Sequence, residues 1–312
     1  MTEKAAMQEI VNQWKERTFQ EYQIPFGEAM QSLGHNDAHI RYVEARPCQG
    51  SSKWIMSDLA TGQVAVFTYA ALWAWGSDLH TGNYVPDNET APAGLPDSRI
   101  QRHVNYRCEF SYCLDTSEDS SLYDLILKAE SYIQEIEGFN RGKRPRKAFQ
   151  DGNREEQRGK FIMTSKVFAR KSPLNKKVTY AVHDWLLKAL EDENPSKNIP
   201  NPERPRYLDY TNGMKLVDLA DTNTPYFKRG DVVWFSFKLG FSVSGDSWSS
   251  ELVPIEFVRV VEAPETVETR TDYASYPSVD TSMELHAGTI VSPMNSTPQY
   301  ESYSPPDSDD RL

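Results

Sequence analysis

No run of apolar residues in this chain approaches the eighteen that a membrane-spanning helix requires. Cysteine is scarce: Cys48, Cys108 and Cys113 are the only three in 312 residues. So few, and an odd number, suit a reducing compartment and exclude a disulfide-stapled secreted scaffold. Neither G-x-G-x-x-G nor G-x-x-x-x-G-K occurs, which removes the usual backbone cradles for dinucleotides and nucleoside triphosphates, and no cofactor is expected. The opening Met1-Thr-Glu-Lys4 leads into an amphipathic pattern and not an apolar signal core, so the expectation is an intracellular protein.

Positive charge is scarce everywhere but in one place. The whole chain carries a formal net charge of −11, yet Phe139 to Lys177 holds 13 Lys or Arg against 3 acidic residues. Residues 1–138 hold 10 basic and 20 acidic groups, 178–261 hold 9 and 12, and 262–312 hold 2 and 10. Segregation of this kind marks either a surface for a polyanion or a transport address. The total charge is then a poor guide to partners.

Periodicity outlines the folded part. Met7, Ile10, Val11 and Trp14 recur at helical spacing, and Pro25 is read as the stop of a helix near 4–22. Strands are expected near 53–69, 104–114, 160–169, 232–241 and 252–261, from period-two alternation of apolar and polar residues. Ser121 with Asp124 reads as a capping box opening a helix near 120–137, with Gly138 at its C-cap. A third helix is expected near 180–193. The fold class is therefore α+β: an antiparallel sheet, with a barrel-like C-terminal half, packed with about three helices across 1–262. Residues 263–312 are acidic and rich in Ser, Thr and Pro without apolar periodicity, and read as a disordered tail.

Pro225-Tyr-Phe-Lys-Arg-Gly-Asp-Val-Val-Trp-Phe-Ser-Phe237 with Leu252-Val-Pro-Ile-Glu-Phe-Val-Arg-Val260 resembles a pattern in uncharacterised proteins of mushroom-forming fungi. The resemblance covers about forty residues. It implies a fungal, lineage-restricted protein and carries no activity across. The Gly230-Asp231 strand opening also occurs in small β-barrels, as fold analogy only.

Gly142-Lys-Arg-Pro-Arg-Lys147 has the Lys-Arg-x-Arg pattern of a nuclear-import address, kept from helix by Pro145. Arg141, Lys143, Arg144, Arg146, Lys147, Arg154, Arg158 and Lys160 are the candidate contacts for nucleic acid, an acidic protein surface or an import receptor. Phe149, Phe161 and Phe168 lie among them; the latter two read as strand core and not as stacking residues. Ser292, Thr297 and Ser304 each precede proline in the tail and are phosphorylation candidates. His35 and His39, four apart, are a metal candidate lacking the intervening Glu of a metalloprotease. Cys108 and Cys113, an odd number of residues apart, fall on opposite strand faces; Cys108 is read as core, Cys113 as a half-exposed thiol. A nucleophilic Cys would need His103 or His183 beside it. His183-Asp184 lacks the all-helical setting of metal phosphohydrolases.

The expectation is thus a non-enzymatic protein, nuclear more than cytoplasmic, contacting nucleic acid or another polyanion through the basic island. The alternatives are a protein–protein scaffold whose island serves import only, and a metal- or thiol-dependent enzyme. The acidic tail reads first as a solvating segment; a sharper hypothesis has it fold back over the island and screen it.

Overall fold

The computed structural model describes residues 3–33, 42–92, 95–147, 159–173, 175–193 and 196–264. In chain order these form α1 (Glu3–Lys15), β1 (Gln23–Pro25), α2 (Phe26–Ser32), β2 (Val43–Pro47), β3 (Lys53–Asp58), β4 (Val66–Gly76), β5 (Glu109–Asp115), α3 (Ser121–Gln134), β6 (Lys160–Lys166) and β7 (Phe168–Arg170). They continue with α4 (Asp184–Asp192), β8 (Asn198–Pro200), β9 (Arg206–Asp209), β10 (Val217–Asp218), β11 (Val232–Val243) and β12 (Trp248–Val261).

The fold is α+β, with ten strands in one mostly antiparallel sheet. The main path is β10-β9-β12-β11-β4-β5-β6; β1 joins β4, β3 joins β11 and β2 joins β3. Among the described strands, β1 pairs with β4 and β9 with β12 in parallel, and the other pairings are antiparallel. β7 and β8 make a separate ribbon. The sheet curls until Cα atoms of β6 come within 8 Å of β12, yet no hydrogen-bonded pairing joins them, and no barrel closes among the described residues. The expected barrel-like C-terminal half is corrected accordingly. Strands from before the island lie inside those that come later: β4 and β5, side by side, sit between β11 and β6.

Two cores flank the sheet because β11 is apolar on both faces. Val233, Phe235, Phe237, Leu239 and Phe241 join the larger core, with α2 and α3 over it. Val232 and Trp234 face the smaller one, beneath α1. Phe26, Phe67, Phe110, Phe235, Phe237, Phe241 and Phe257 are each under 2% exposed. Each such side chain contributes about 1.5–3 kcal/mol by leaving water.

Several boundaries differ from the sequence expectation for identifiable reasons. α1 stops at Lys15, well before Pro25, because the Gln23 side-chain oxygen accepts from the Phe19 and Gln20 N–H groups at 2.9 Å each and holds that stretch as a turn. Pro25 instead precedes α2, at its N-cap. Residues 53–69 are two strands around a turn, as read from the sequence, and Ala70–Gly76, open there between strand and helix, continues the second strand. Val104–Cys108 is not strand: Asn105 Oδ1 accepts from Arg107 N at 2.7 Å and closes a turn there. Ser121 does not cap α3. Asp119 accepts from Ser121 N at 3.0 Å and from Ser121 Oγ at 2.5 Å, and the helix ends at Gln134, before Gly138. Cys113 is 0% exposed, so it is no half-exposed thiol; it packs with Trp75, Ala74 and Ile162 in a third, small apolar cluster. The expected tail lies outside the described residues from 265 onward.

Candidate nucleic-acid interface

The described parts of the island, 139–147 and the stretch from 159 onward, are each fastened to the fold differently. After α3 the chain turns back through Phe139, which is buried against Trp54, Phe241 and Trp248 at ring-centroid distances of 5.9, 6.2 and 5.2 Å. Asn140 then clasps the basic motif: its side chain donates to Arg144 O at 2.8 Å and accepts from Arg144 N at 3.0 Å. Its own carbonyl accepts from Lys143 N at 2.8 Å. Asn140 and Lys143 pay for this tight loop with positive φ, +42° and +48°.

The motif then becomes a short strand-like segment beside β12. Trp248 N donates to Pro145 O at 3.1 Å and Lys147 N donates to Trp248 O at 2.7 Å. Arg146 turns inward. Its guanidinium meets Glu130 of α3 at 2.5 Å, and Ser250 Oγ of β12 donates to the other Glu130 oxygen at 2.6 Å. Glu130 is 3% exposed, so this ion pair is a tie between α3, the limb and β12. Arg146 is thereby placed in the scaffold and not on the outer surface.

Arg141, Lys143, Arg144 and Lys147 remain on the outside of the limb; the first two are exposed and the others half-buried. Arg141 and Trp54 share the space over Gly138. A Cβ added there would lie 3.7 Å from Arg141 Nη2 and 3.9 Å from Trp54 Cζ2. Trp54 is itself only half-buried. A cation beside a partly exposed indole can hold a phosphate and present a stacking face together. Lys160 opens β6 opposite Asp115, and its carbonyl accepts from Tyr123 OH at 2.6 Å. Arg154, Arg158, Phe149, Ser292, Thr297, Ser304, His35 and His39 lie outside the described residues. Phe161 and Phe168 are core, 4% and 8% exposed.

The thiols are built for packing and not for attack. Burial pushes Cys108 up to about 11 and Cys113 up to about 12. Cys108 Sγ donates to the His103 carbonyl at 3.3 Å and not to its ring. His183 Nδ1 accepts from Trp185 N at 3.2 Å and serves as the N-cap of α4. Among the described residues no group of three or more His, Cys, Asp or Glu could hold a metal ion.

One polar cluster escaped the sequence reading. Tyr69 OH and Ser121 Oγ are 2.5 Å apart, Lys15 Nζ lies 3.3 Å from Ser121 Oγ, and Asp119 pairs with Lys15. Ser, Tyr and Lys together suggest acid–base chemistry. Here the Lys15 ammonium is held charged: burial opposes it, but the Tyr69 and Asp119 partners prevail and raise its pKa. A charged lysine is no general base. Its partners come from α1, β4 and the start of α3, so the cluster acts as a clamp joining those elements.

The most informative missed feature is a second cationic surface. Arg99, Arg102 and Arg107, with His103, fall within nine residues that contain no acid. The buried Asn83 side chain donates to Arg99 O at 3.1 Å and to Arg107 O at 3.0 Å, holding both ends of that stretch of backbone to one residue. Cys108 O accepts from Val167 N at 3.0 Å, which brings Lys166, from the second half of the island, alongside. Three arginines without an acid were visible in the sequence but disappear in a charge sum taken over 138 residues.

No family model matches the chain, and no curated protein does. Among solved structures, it is similar to the single-stranded DNA-binding protein gp2.5 of bacteriophage T7, with a TM-score of 0.32 and 11% identity over 65% of this chain and 95% of that one. It is similar at the same TM-score of 0.32 to the single-stranded DNA-binding protein of bacteriophage Enc34, with 8% identity over 74% of this chain and 98% of the other. Likenesses at that score carry no argument about this chain.

Proposed function

We propose that this chain is a non-enzymatic nucleic-acid-binding protein that grips the phosphate backbone with the limb Arg141–Lys147. The observation that carries the reading is that the Arg141 guanidinium and the half-buried Trp54 ring both border Gly138, in a limb anchored by Phe139, Asn140 and Arg146. An anchored cation loses little conformational freedom on meeting a phosphate, and an indole adds a sequence-tolerant stacking face. The ligand this combination fits is a single strand, whose bases are free to stack.

The import-only alternative asks the same motif to lie extended in an acidic groove. As folded, its backbone is turned by Asn140 and bridged to Trp248, and Arg146 is paired with Glu130. Handing the motif to a receptor would break that buried pair, which favours binding by the folded limb.

The test is retention on single-stranded DNA and RNA columns at low salt. Four phosphate contacts give a slope of log affinity against log salt of about −3. The variant R141A/K143A/R144A/K147A should lose most of that slope while unfolding at the same denaturant concentration. Arg146 is left intact, because its removal strands Glu130 and confuses binding with folding. Unchanged retention in this variant would refute the limb as the site; no retention of the native chain would refute the function.

A further inference from the structure

We infer that the Arg99–Arg107 loop, with Lys166, is a second contact for a single-stranded nucleic acid, in which a base lies on the Tyr106 ring. The inference rests on the nucleic-acid reading above and extends it to a surface at a different part of the sheet.

The loop is built to be rigid. Asp78 Oδ1 accepts from His80 N, Thr81 N and Thr81 Oγ at 2.8–3.0 Å and coils the chain after β4 into a tight turn. Gly82 follows at φ +62°, so close to its neighbours that a Cβ would lie 2.6 Å from Glu109 O and 2.8 Å from Val167 Cγ2. That squeeze sets Asn83 in the interior, 6% exposed, with every side-chain bond aimed at the loop's backbone or at β5. Its oxygen accepts from Glu109 N at 2.8 Å while its amide holds Arg99 O and Arg107 O. Arg102 completes the frame by donating to Val85 O at 3.2 Å and Pro86 O at 2.7 Å.

What this frame presents is unusual for the molecule. Tyr106 is 56% exposed, among the most exposed large hydrophobic side chains described. The Arg107 guanidinium stands 5.6 Å from its ring centroid and donates from Nε to its hydroxyl at 3.2 Å, so the ring is steadied by a cation that still faces water. Lys166 is 52% exposed and only loosely paired with Glu109, at 3.7 Å. Its ammonium can therefore turn to a phosphate at little cost. An exposed aromatic ring with one cation against it, and a second cation on the neighbouring strand β6, matches the stacking platform and charged track of single-strand binders. It matches a duplex poorly, since paired bases offer no free face to Tyr106.

The experiment uses the full chain and labelled oligothymidylate, followed by fluorescence anisotropy across salt concentrations. Tyr106→Ala should weaken binding about tenfold, and Tyr106→Phe should restore it, because stacking needs the ring and not the hydroxyl. Arg107→Ala should lower the salt slope by about 0.7, one phosphate's worth on a single strand. If the native chain binds and the limb variant does not, while Tyr106→Ala and Arg107→Ala bind as the native chain does, the second contact is wrong and the limb stands. If the native chain does not bind, both fall. An equal Tyr106→Ala loss on heparin, which has no bases, also overturns the stacking contact.

Discussion

Asp231 holds two chain segments with one carboxylate. One oxygen accepts from Ala263 N at 2.7 Å and the other from Lys228 N at 2.8 Å, fixing the turn before β11 and the exit of β12. The group is fully buried, and Arg259 stands 4.0 Å away. Loss of hydration is the largest influence on it; it outweighs the two N–H donors, Arg259 and Lys228, and pushes the carboxyl up to about 6. The unfolded chain gives up this proton near pH 4, the folded one near pH 6. Between those values the folded state holds more protons, so the contribution of Asp231 is fully present below about pH 4 and lost as pH rises through 6. The size is about 3 kcal/mol. Urea unfolding of the native chain and of Asp231→Asn between pH 4 and 7.5 checks this: the native-minus-variant difference in stability should shrink as pH rises. A pH-independent difference would contradict it.

At the scale of elements, Gly82 shows what a single backbone position can decide. Its positive φ and the 2.6 Å gap to Glu109 O leave no room for a methyl group. Gly82→Ala is expected to cost about 2 kcal/mol or more and to loosen the Arg99–Arg107 loop through Asn83. Hydrogen exchange at Asn83 and Glu109 amides should speed up before the rest of β5 does; uniform exchange across β5 would count against it.

The elements also show where sequence was readable. β11 and β12 announce themselves because aromatic and β-branched residues alternate over a dozen positions, and the large core needs that face. α3 is equally plain, with Leu122, Ile126, Ala129 and Ile133 buried along one stripe. β9 has no such pattern: its four residues are Arg206, Tyr207, Leu208 and Asp209, and its place comes from parallel pairing with β12 and from Asp209 receiving the buried Arg259 at 2.6 Å. β1 is three residues long and ends in proline, so only its partner β4 defines it as strand. The basic motif was legible as charge, but the inward turn of Arg146 was not, since Glu130 and Ser250 lie 16 and 104 residues away in sequence. The second surface depended on Asn83, whose role is set entirely by tertiary hydrogen bonds.

For the whole molecule, charge and connectivity set the behaviour. Residues 265–312 carry 2 basic and 9 acidic groups. A cut for removing them belongs after Pro264, because Glu262 pairs with Lys228 at 2.8 Å and Ala263 is held by Asp231. The shortened chain should bind oligothymidylate more tightly at low salt, with the gain fading as the screening length falls from about 10 Å at 0.1 M toward 3 Å at 1 M. Equal affinity of the two forms at low salt would remove any screening role for residues 265–312.

The insertion of β4 and β5 between β11 and β6 has one more consequence. Lys147 is tied to Trp248 and Lys160 is paired with Asp115, so both rims of the intervening segment belong to the folded body. A protease that cut between them would sever the chain without undoing any described strand pairing. The two fragments would stay interleaved, β4 and β5 of one between β11 and β6 of the other. Neither fragment owns a complete sheet, so the intact sheet requires both.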